Sequence, residues 1–88
     1  VSVHDTPKSG RIAFIKGAPE QILPLCTRFA GGPLRPNARR RFQRRNEEMA
    51  ADGLRVLALG FRRLGRDEDG TRDGNFTLLG LAGLRDPV

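Results

Sequence analysis

Three short, largely apolar runs mark the chain, and each of them predicts a β-strand. The runs cover residues 11–15, 54–61 and 76–84, and short apolar runs are typical of buried strands. In the first run both sets of alternating positions are apolar, which predicts a strand covered on both faces. Residues 1–3 also alternate, so we expect them to pair with residues 11–15 as an antiparallel hairpin.

Residues 19–29 show a helical rather than a strand-like period. Ile22, Leu23 and Cys26 form an apolar stripe along this segment. Pro24 lies inside the stripe and removes one backbone hydrogen bond, so we expect a short or kinked helix. Cys26 is interpreted as a small core residue, because a reactive thiol needs more basic surroundings than the sequence offers.

A longer helix is predicted over residues 37–52, with Asn37 as its N-cap. Gly53 is its expected C-terminal stop. The polar, glycine-rich residues 65–75 predict an exposed loop between the last two strands. The order of elements is therefore strand-strand-helix-helix-strand-strand. This order indicates an α+β fold, a mainly antiparallel sheet with two helices packed on it.

Composition limits the size and the surroundings of the protein. Its 88 residues suit one domain, spanning 1–88. We expect that domain to be part of a larger protein, since the chain begins without Met, and we find no signal peptide in the sequence. No apolar run approaches a membrane span of about 20 residues. The single cysteine excludes an internal disulfide and suits a reducing compartment. One histidine and one cysteine in the whole sequence cannot build a metal site by themselves.

Charge favours anionic partners. The chain carries 16 Lys and Arg against 10 Asp and Glu, a net charge of +6, and such a balance attracts nucleotides, nucleic acids or acidic membranes. Five of the arginines lie within Arg39–Arg45. This cluster supports an alternative function, a small basic module that binds nucleic acid or acidic membrane. Neither stacking aromatics nor a known DNA-binding pattern accompanies the cluster, so a solvated helix face is the simpler interpretation.

The candidate chemistry lies in the pentad Lys16-Gly17-Ala18-Pro19-Glu20, between the first long strand and the first helix. Gly17 permits close approach of backbone or ligand, and Pro19 suits the first turn of a helix. Lys16 would place an ammonium at the edge of the sheet. Such a turn can serve a phosphate or a purine ring, and it can equally be an ordinary surface turn.

Three ordered stretches together resemble the nucleotide-binding domain of P-type cation-transporting ATPases. They are the pentad K-G-A-P-E at residues 16–20, A-A-D-G-L-R-V-L-A-L-G at residues 50–60, and F-T-L-L-G-L-A-G-L-R-D-P at residues 76–87. The sequences of these motifs are closer to those of the calcium-type pumps than to those of the heavy-metal pumps. The resemblance covers most of the chain and matches the C-terminal part of that domain.

The resemblance implies roles for individual residues. Lys16 would line the adenosine pocket, and Gly17 would let the ring approach. Arg55 would reach the phosphates, although a surface salt bridge is the other interpretation of this side chain. Asp86 and Pro87 would form the hinge toward the phosphorylation domain. ATP is the implied ligand, with Mg²⁺ balancing the phosphate charge in the parent enzyme.

The resemblance also implies the context of the domain. A P-type ATPase phosphorylates an aspartate in a D-K-T-G-type motif, which this chain lacks. We therefore expect a binding domain that is not catalytic alone, within an ion-translocating ATPase. Its expected partners are the phosphorylation and transmembrane domains of the parent, with no nucleic acid. We expect a monomeric domain on the cytoplasmic side of an integral membrane protein.

Overall fold

The computed structural model describes residues 2–6, 10–65 and 74–85. It contains six strands and two α-helices, and a short 3₁₀ turn at Leu23–Leu25 follows the first helix. In chain order the elements are β1 Ser2–Thr6, β2 Gly10–Gly17, α1 Pro19–Ile22, β3 Cys26–Phe29, β4 Gly32–Pro33, α2 Pro36–Ala51, β5 Arg55–Leu64 and β6 Phe76–Leu84. Within these residues neither helix is long and apolar enough to cross a membrane.

The six strands form one sheet in the order β1-β2-β5-β6-β3-β4. Every pairing is antiparallel except that of β3 with β6, which is parallel. The predicted α+β class with a mainly antiparallel sheet is confirmed. The hairpin of β1 and β2 is also confirmed, with Val3 opposite Ala13. The predicted order of elements is incomplete, because β3 and β4 lie between the two helices.

The helix predicted over residues 19–29 is wrong in its second half. The α-helix ends at Ile22, and a 3₁₀ turn accommodates Pro24, which has no N–H to continue α-helical bonding. Cys26 then adopts extended angles, φ −100° and ψ 131°, and begins β3. The stripe that suggested a longer helix is buried because this segment crosses the sheet.

Helix α2 confirms the second prediction, with a different N-terminus. Arg35 flanks the helix and Pro36 occupies its first position, where a missing N–H costs nothing. Asn37 is therefore the second helical residue and not the N-cap. Gly53, with φ 82°, is the predicted stop. The amide of Gly53 donates to the carbonyl oxygen of Ala50 at 3.0 Å, and the amide of Leu54 donates to that of Met49 at 3.1 Å. These two bonds form a Schellman motif.

Strands β5 and β6 form the centre of the sheet. The prediction for β6 agrees with the structure, whereas β5 runs to Leu64 and is longer than predicted. Of the predicted loop 65–75, residues 66–73 lie outside the described part of the chain. Gly74 and Asn75 lead into β6 with φ values of 94° and 59°.

Both helices pack on the same face of the sheet. On this face a Cβ at Gly17 would lie 3.3 Å from Ile22 of α1, and one at Gly83 would lie 3.0 Å from Met49 of α2. The register relates the two positions, since Gly17 pairs with Ala58 and Gly83 pairs with Val56, two residues away on β5. The core lies between this face and the helices and contains Ala13, Ile22, Leu23, Cys26, Leu34, Ala58, Phe76 and Leu78.

Cys26 is a core residue, as predicted. Its side chain is fully buried and its thiol is free. Burial raises the pKa of the Cys26 thiol, and the nearby positive charge of Arg39 opposes that shift only in part.

Arg39 joins α2 to the crossing segment. Its guanidinium donates to the carbonyl oxygen of Leu23 and, at 2.9 Å, to that of Cys26. These carbonyls lie where the 3₁₀ turn gives way to β3. The Leu23 oxygen also accepts the backbone N–H of Cys26, so Arg39 is a second donor to it. Arg39, one arginine of the predicted cluster, therefore stabilises the fold by linking α2 to the segment that crosses the sheet.

Replacing this arginine tests its structural role. We expect Arg39→Gln to lower the free energy of unfolding by about 1.5–3 kcal/mol, the usual worth of hydrogen bonds from a charged donor. Arg44→Gln removes the same charge from an exposed position of the same helix, and surface changes of this kind usually cost at most about 0.5 kcal/mol. Urea denaturation of both variants measures the difference. Equal midpoints would refute the structural role of Arg39.

The buried thiol predicts a pH dependence of stability. Because folding raises the pKa of Cys26, its contribution is fully present at neutral pH. It is lost as the pH rises above roughly 8.5, where the unfolded thiol releases its proton and the folded one retains it. We expect the free energy of unfolding to fall more steeply with alkaline pH in the native chain than in Cys26→Ala. Parallel curves would contradict this expectation.

Candidate functional site

The face of the sheet opposite the helices is open in the described part of the chain. Lys16 lies opposite Leu59, and Phe14 lies opposite Phe61, so these four side chains share that face. Phe14 is 38% exposed. The prediction that its strand is covered on both faces is therefore wrong for this chain: Ala13 is buried on the helix side, and Phe14 contacts solvent.

A cavity of about 350 Å³ opens on this face. It is lined by Ser2, Phe14, Ile15, Lys16, Leu59, Gly60 and Leu79. Most of these residues are apolar, and Leu59 and Leu79 are exposed large hydrophobic side chains. The ring of His4 packs edge-to-face on Phe14 with 5.6 Å between centroids. The cavity therefore offers an apolar, partly aromatic surface with one ammonium, that of Lys16.

Gly17 lies next to the cavity but does not line it. A Cβ there would point to the helix side and lie 3.3 Å from Cδ1 of Ile22. The missing side chain thus has a packing role, because it lets α1 approach the sheet closely. A direct contact between Gly17 and a ligand stays a prediction.

Arg55 begins β5 and is exposed. It lies four residues before Leu59, so strand alternation places it on the same open face as Lys16. Four residues of a strand span about 13 Å, which is the distance along β5 between Arg55 and the partner of Lys16. The two cationic side chains therefore mark opposite ends of one stretch of the open face.

Sequence reasoning identified Lys16 and Arg55 but missed the apolar residues between and around them. Phe14, Leu59 and Leu79 were interpreted only as strand residues. The signal that could have found them is the second apolar face of their strands, for which the described residues provide no covering element. Asp86 and Pro87, the predicted hinge, lie outside the described residues.

The remaining arginines of the predicted cluster do not contribute to this site. Arg40, Arg41, Arg44 and Arg45 are exposed on α2, and α2 packs on the other face of the sheet. The cluster and the cavity are therefore separate surfaces.

Comparison with known proteins agrees with the motifs. The chain matches the family described as "P-type ATPase, cytoplasmic domain N" over residues 1–88. It is 38% identical over 80 residues to the human calcium-transporting ATPase type 2C member 2, covering 86% of this chain and 8% of that protein. It is 37% identical over 90 residues to the bovine type 2C member 1, covering 97% and 9%.

A plant protein shows the same relationship. The rice plasma membrane-type calcium-transporting ATPase 7 is 33% identical over 96 residues, which cover 99% of this chain and 9% of that protein. The chain therefore belongs to the P-type ATPase cytoplasmic domain N family, and the resemblance to the calcium-type pumps is confirmed. It spans less than a tenth of the length of these relatives.

Gly60 provides a test of how the cavity is supported. A Cβ at this position would lie 3.0 Å from the backbone oxygen of Thr77 and 3.5 Å from Sγ of Cys26. We expect Gly60→Ala to destabilise the fold by about 1–3 kcal/mol through overpacking. Gly32→Ala is the control, because a Cβ there meets nothing within 4 Å. Thermal unfolding of the two variants measures the effect, and equal melting temperatures would contradict it.

Proposed function

We propose that this chain binds ATP as part of the nucleotide-binding domain of a calcium-type P-type ATPase. The observation that carries the proposal is the position of Lys16 at an apolar cavity on the open face of the sheet. This is the lysine of the pentad that resembles the family's adenosine pocket. A largely apolar cavity with one cationic group is a common form of small-molecule site.

The base of the nucleotide would occupy the cavity. Phe14, Leu59 and Leu79 supply apolar and aromatic surface for a purine ring, and rings of this kind attract each other in stacked or edge-to-face arrangements. The ammonium of Lys16 would lie over the ring or donate to its nitrogen acceptors. These contacts favour a nucleobase over a simple phosphate as the occupant.

The phosphates would extend along β5 toward Arg55. The guanidinium of an arginine matches two phosphate oxygens at once, and Arg55 is exposed on the same face as Lys16. The triphosphate would extend along the stretch of about 13 Å on β5 between Leu59, the partner of Lys16, and Arg55. Lys16 and Arg55 therefore have complementary tasks, one for the base and one for the phosphates.

Magnesium would arrive with the nucleotide. None of the seven residues lining the cavity carries a carboxylate, and carboxylates are the usual protein ligands of Mg²⁺. In the parent enzyme the ion would be held by the phosphate oxygens, whose charge it neutralises. This chain contributes the groups that hold the base and the phosphate chain.

In the parent, this domain would present ATP to an aspartate of a neighbouring phosphorylation domain. The sequence contains no D-K-T-G motif, so its own residues bind and orient and do not accept the phosphoryl group. Transmembrane domains would select the ion, with this domain on the cytoplasmic side. Asp86 and Pro87 would form the hinge, and the domain would act as a monomer without nucleic acid.

Matched arginine variants test the phosphate contact. We expect Arg55→Ala to weaken ATP binding by at least about tenfold, the loss of one charged hydrogen bond, while adenosine binding stays unchanged. Arg63→Ala is the control, because Arg63 lies on the same strand and face, four residues beyond Leu59 in the other direction. An amide NMR titration with ATP, ADP and adenosine measures the affinities. Equal losses for ATP and adenosine would refute the phosphate role.

The same titration tests the base site. We expect Lys16→Gln to weaken adenosine and ATP together, and ATP to shift the amides of Phe14, Lys16 and Leu79 more than GTP does. Shifts confined to Arg39–Arg45, caused equally by a short DNA and erased by salt, would instead support the basic binding module.

A further inference from the structure

The exposed face of α2 carries a concentration of positive charge, in which Arg40 donates to the side chain of Asn37. Arg39 turns inward to the carbonyl oxygens of Leu23 and Cys26. Helical steps of 100° direct the other arginines of the cluster to one side of the helix, and all of them are exposed. These residues are Arg40, Arg41, Arg44 and Arg45.

The local electrostatics of this face are unfavourable. Arg40 and Arg44, and likewise Arg41 and Arg45, are like-charged pairs four residues apart, which destabilise a helix. The first turn of α2 contains no acidic residue to offset them. Arg45 lies 3.2 Å from Glu48, but both side chains are more than half exposed, and such surface pairs contribute little. An anionic partner would relieve this repulsion.

A recess lies directly beside two of these arginines. It has a volume of about 390 Å³ and is lined by Phe29, Ala38, Arg41, Phe42 and Arg45. The rings of Phe29 and Phe42 pack edge-to-face with 4.9 Å between centroids and form its apolar wall. We call this recess the arginine cleft. Its apolar wall and its two guanidiniums at the rim match an apolar side chain with carboxylates on either side.

We propose that the arginine cleft binds an acidic peptide segment through one apolar side chain. The apolar residue would pack on the wall that Phe29 and Phe42 form together, and its acidic neighbours would pair with Arg41 and Arg45. Arginine and carboxylate pair in a forked, two-point geometry, and charge complementarity therefore selects the partner. The cleft lies on the helix side of the sheet, so this binding is separate from the proposed nucleotide site.

The shape of the surface favours a peptide over other polyanions. From Arg40 to Arg45 the helix rises about 7.5 Å, which suits a few residues of peptide. The exposed helix face presents guanidiniums and no apolar side chain that could insert into a lipid layer. Phe29 and Phe42 are partly buried against each other, whereas single-stranded nucleic acid needs free aromatic faces for stacking.

The test uses a short peptide in which one phenylalanine is flanked on both sides by glutamates. We expect it to shift the amides of Phe29, Ala38 and Phe42 in an NMR titration of the chain. Arg41→Gln combined with Arg45→Gln should weaken binding by at least about tenfold. Arg40→Gln combined with Arg44→Gln removes the same charge from the same helix outside the cleft and should weaken binding much less. Replacing the phenylalanine of the peptide by alanine should also cost about tenfold.

Each other outcome overturns the proposal. Equal losses for the two double variants, or no effect of the phenylalanine, would mean unspecific attraction by charge. Binding of phosphatidylserine vesicles with no binding of the peptide would assign the face to a membrane. Absence of any binding would make it a solvated surface. Lys16→Gln should leave peptide binding unchanged, so failure of the proposed nucleotide site does not affect this result.

Discussion

The fold depends on how the chain crosses the buried face of the sheet between β2 and β3. These strands are separated by β5 and β6, a distance of about 14 Å at the usual spacing of strands. Residues 19–25 make this crossing as α1 and a 3₁₀ turn, and they bury Ile22 and Leu23 on the way. Gly17 has no side chain and so lets α1 approach the sheet, and Arg39 donates to the two carbonyl oxygens where the crossing ends.

The same crossing explains which elements the sequence could predict. Strands β5 and β6 and helix α2 were predicted because each is a long element whose pattern persists over many residues, and because Gly53 ends the helix. The short strand β3 was missed because a buried crossing shows the same apolar stripe as a longer helix. Strand β4 was missed because it is only Gly32–Pro33, and such a pair is typical of a loop. Pro24 was the relevant signal, since α-helical bonding cannot continue through it. The parallel pairing of β3 with β6 depends on tertiary contacts that local periodicity does not encode.

The candidate site was predictable only at its charged ends. Lys16 and Arg55 each belong to a short sequence motif that resembles the family, so each could be found from its own motif alone. The surface between them exists only after β2 and β5 align in register and place Lys16 opposite Leu59. Gly17 is a second example. The residues around it in the sequence do not show whether its missing side chain makes room for a ligand or for helix α1.

The cavity and the core share one piece of backbone. Strand alternation directs Leu59 and Gly60 to opposite faces of the sheet, and the ladder between β5 and β6 shifts register at this point. Leu59 lines the cavity on the open side, whereas a Cβ at Gly60 would contact Cys26 and the backbone of Thr77. Because interiors are closely packed and transmit strain, a change at Cys26 or Gly60 would move Leu59 relative to Lys16. Core packing therefore sets the geometry of the surface that we propose for the nucleotide.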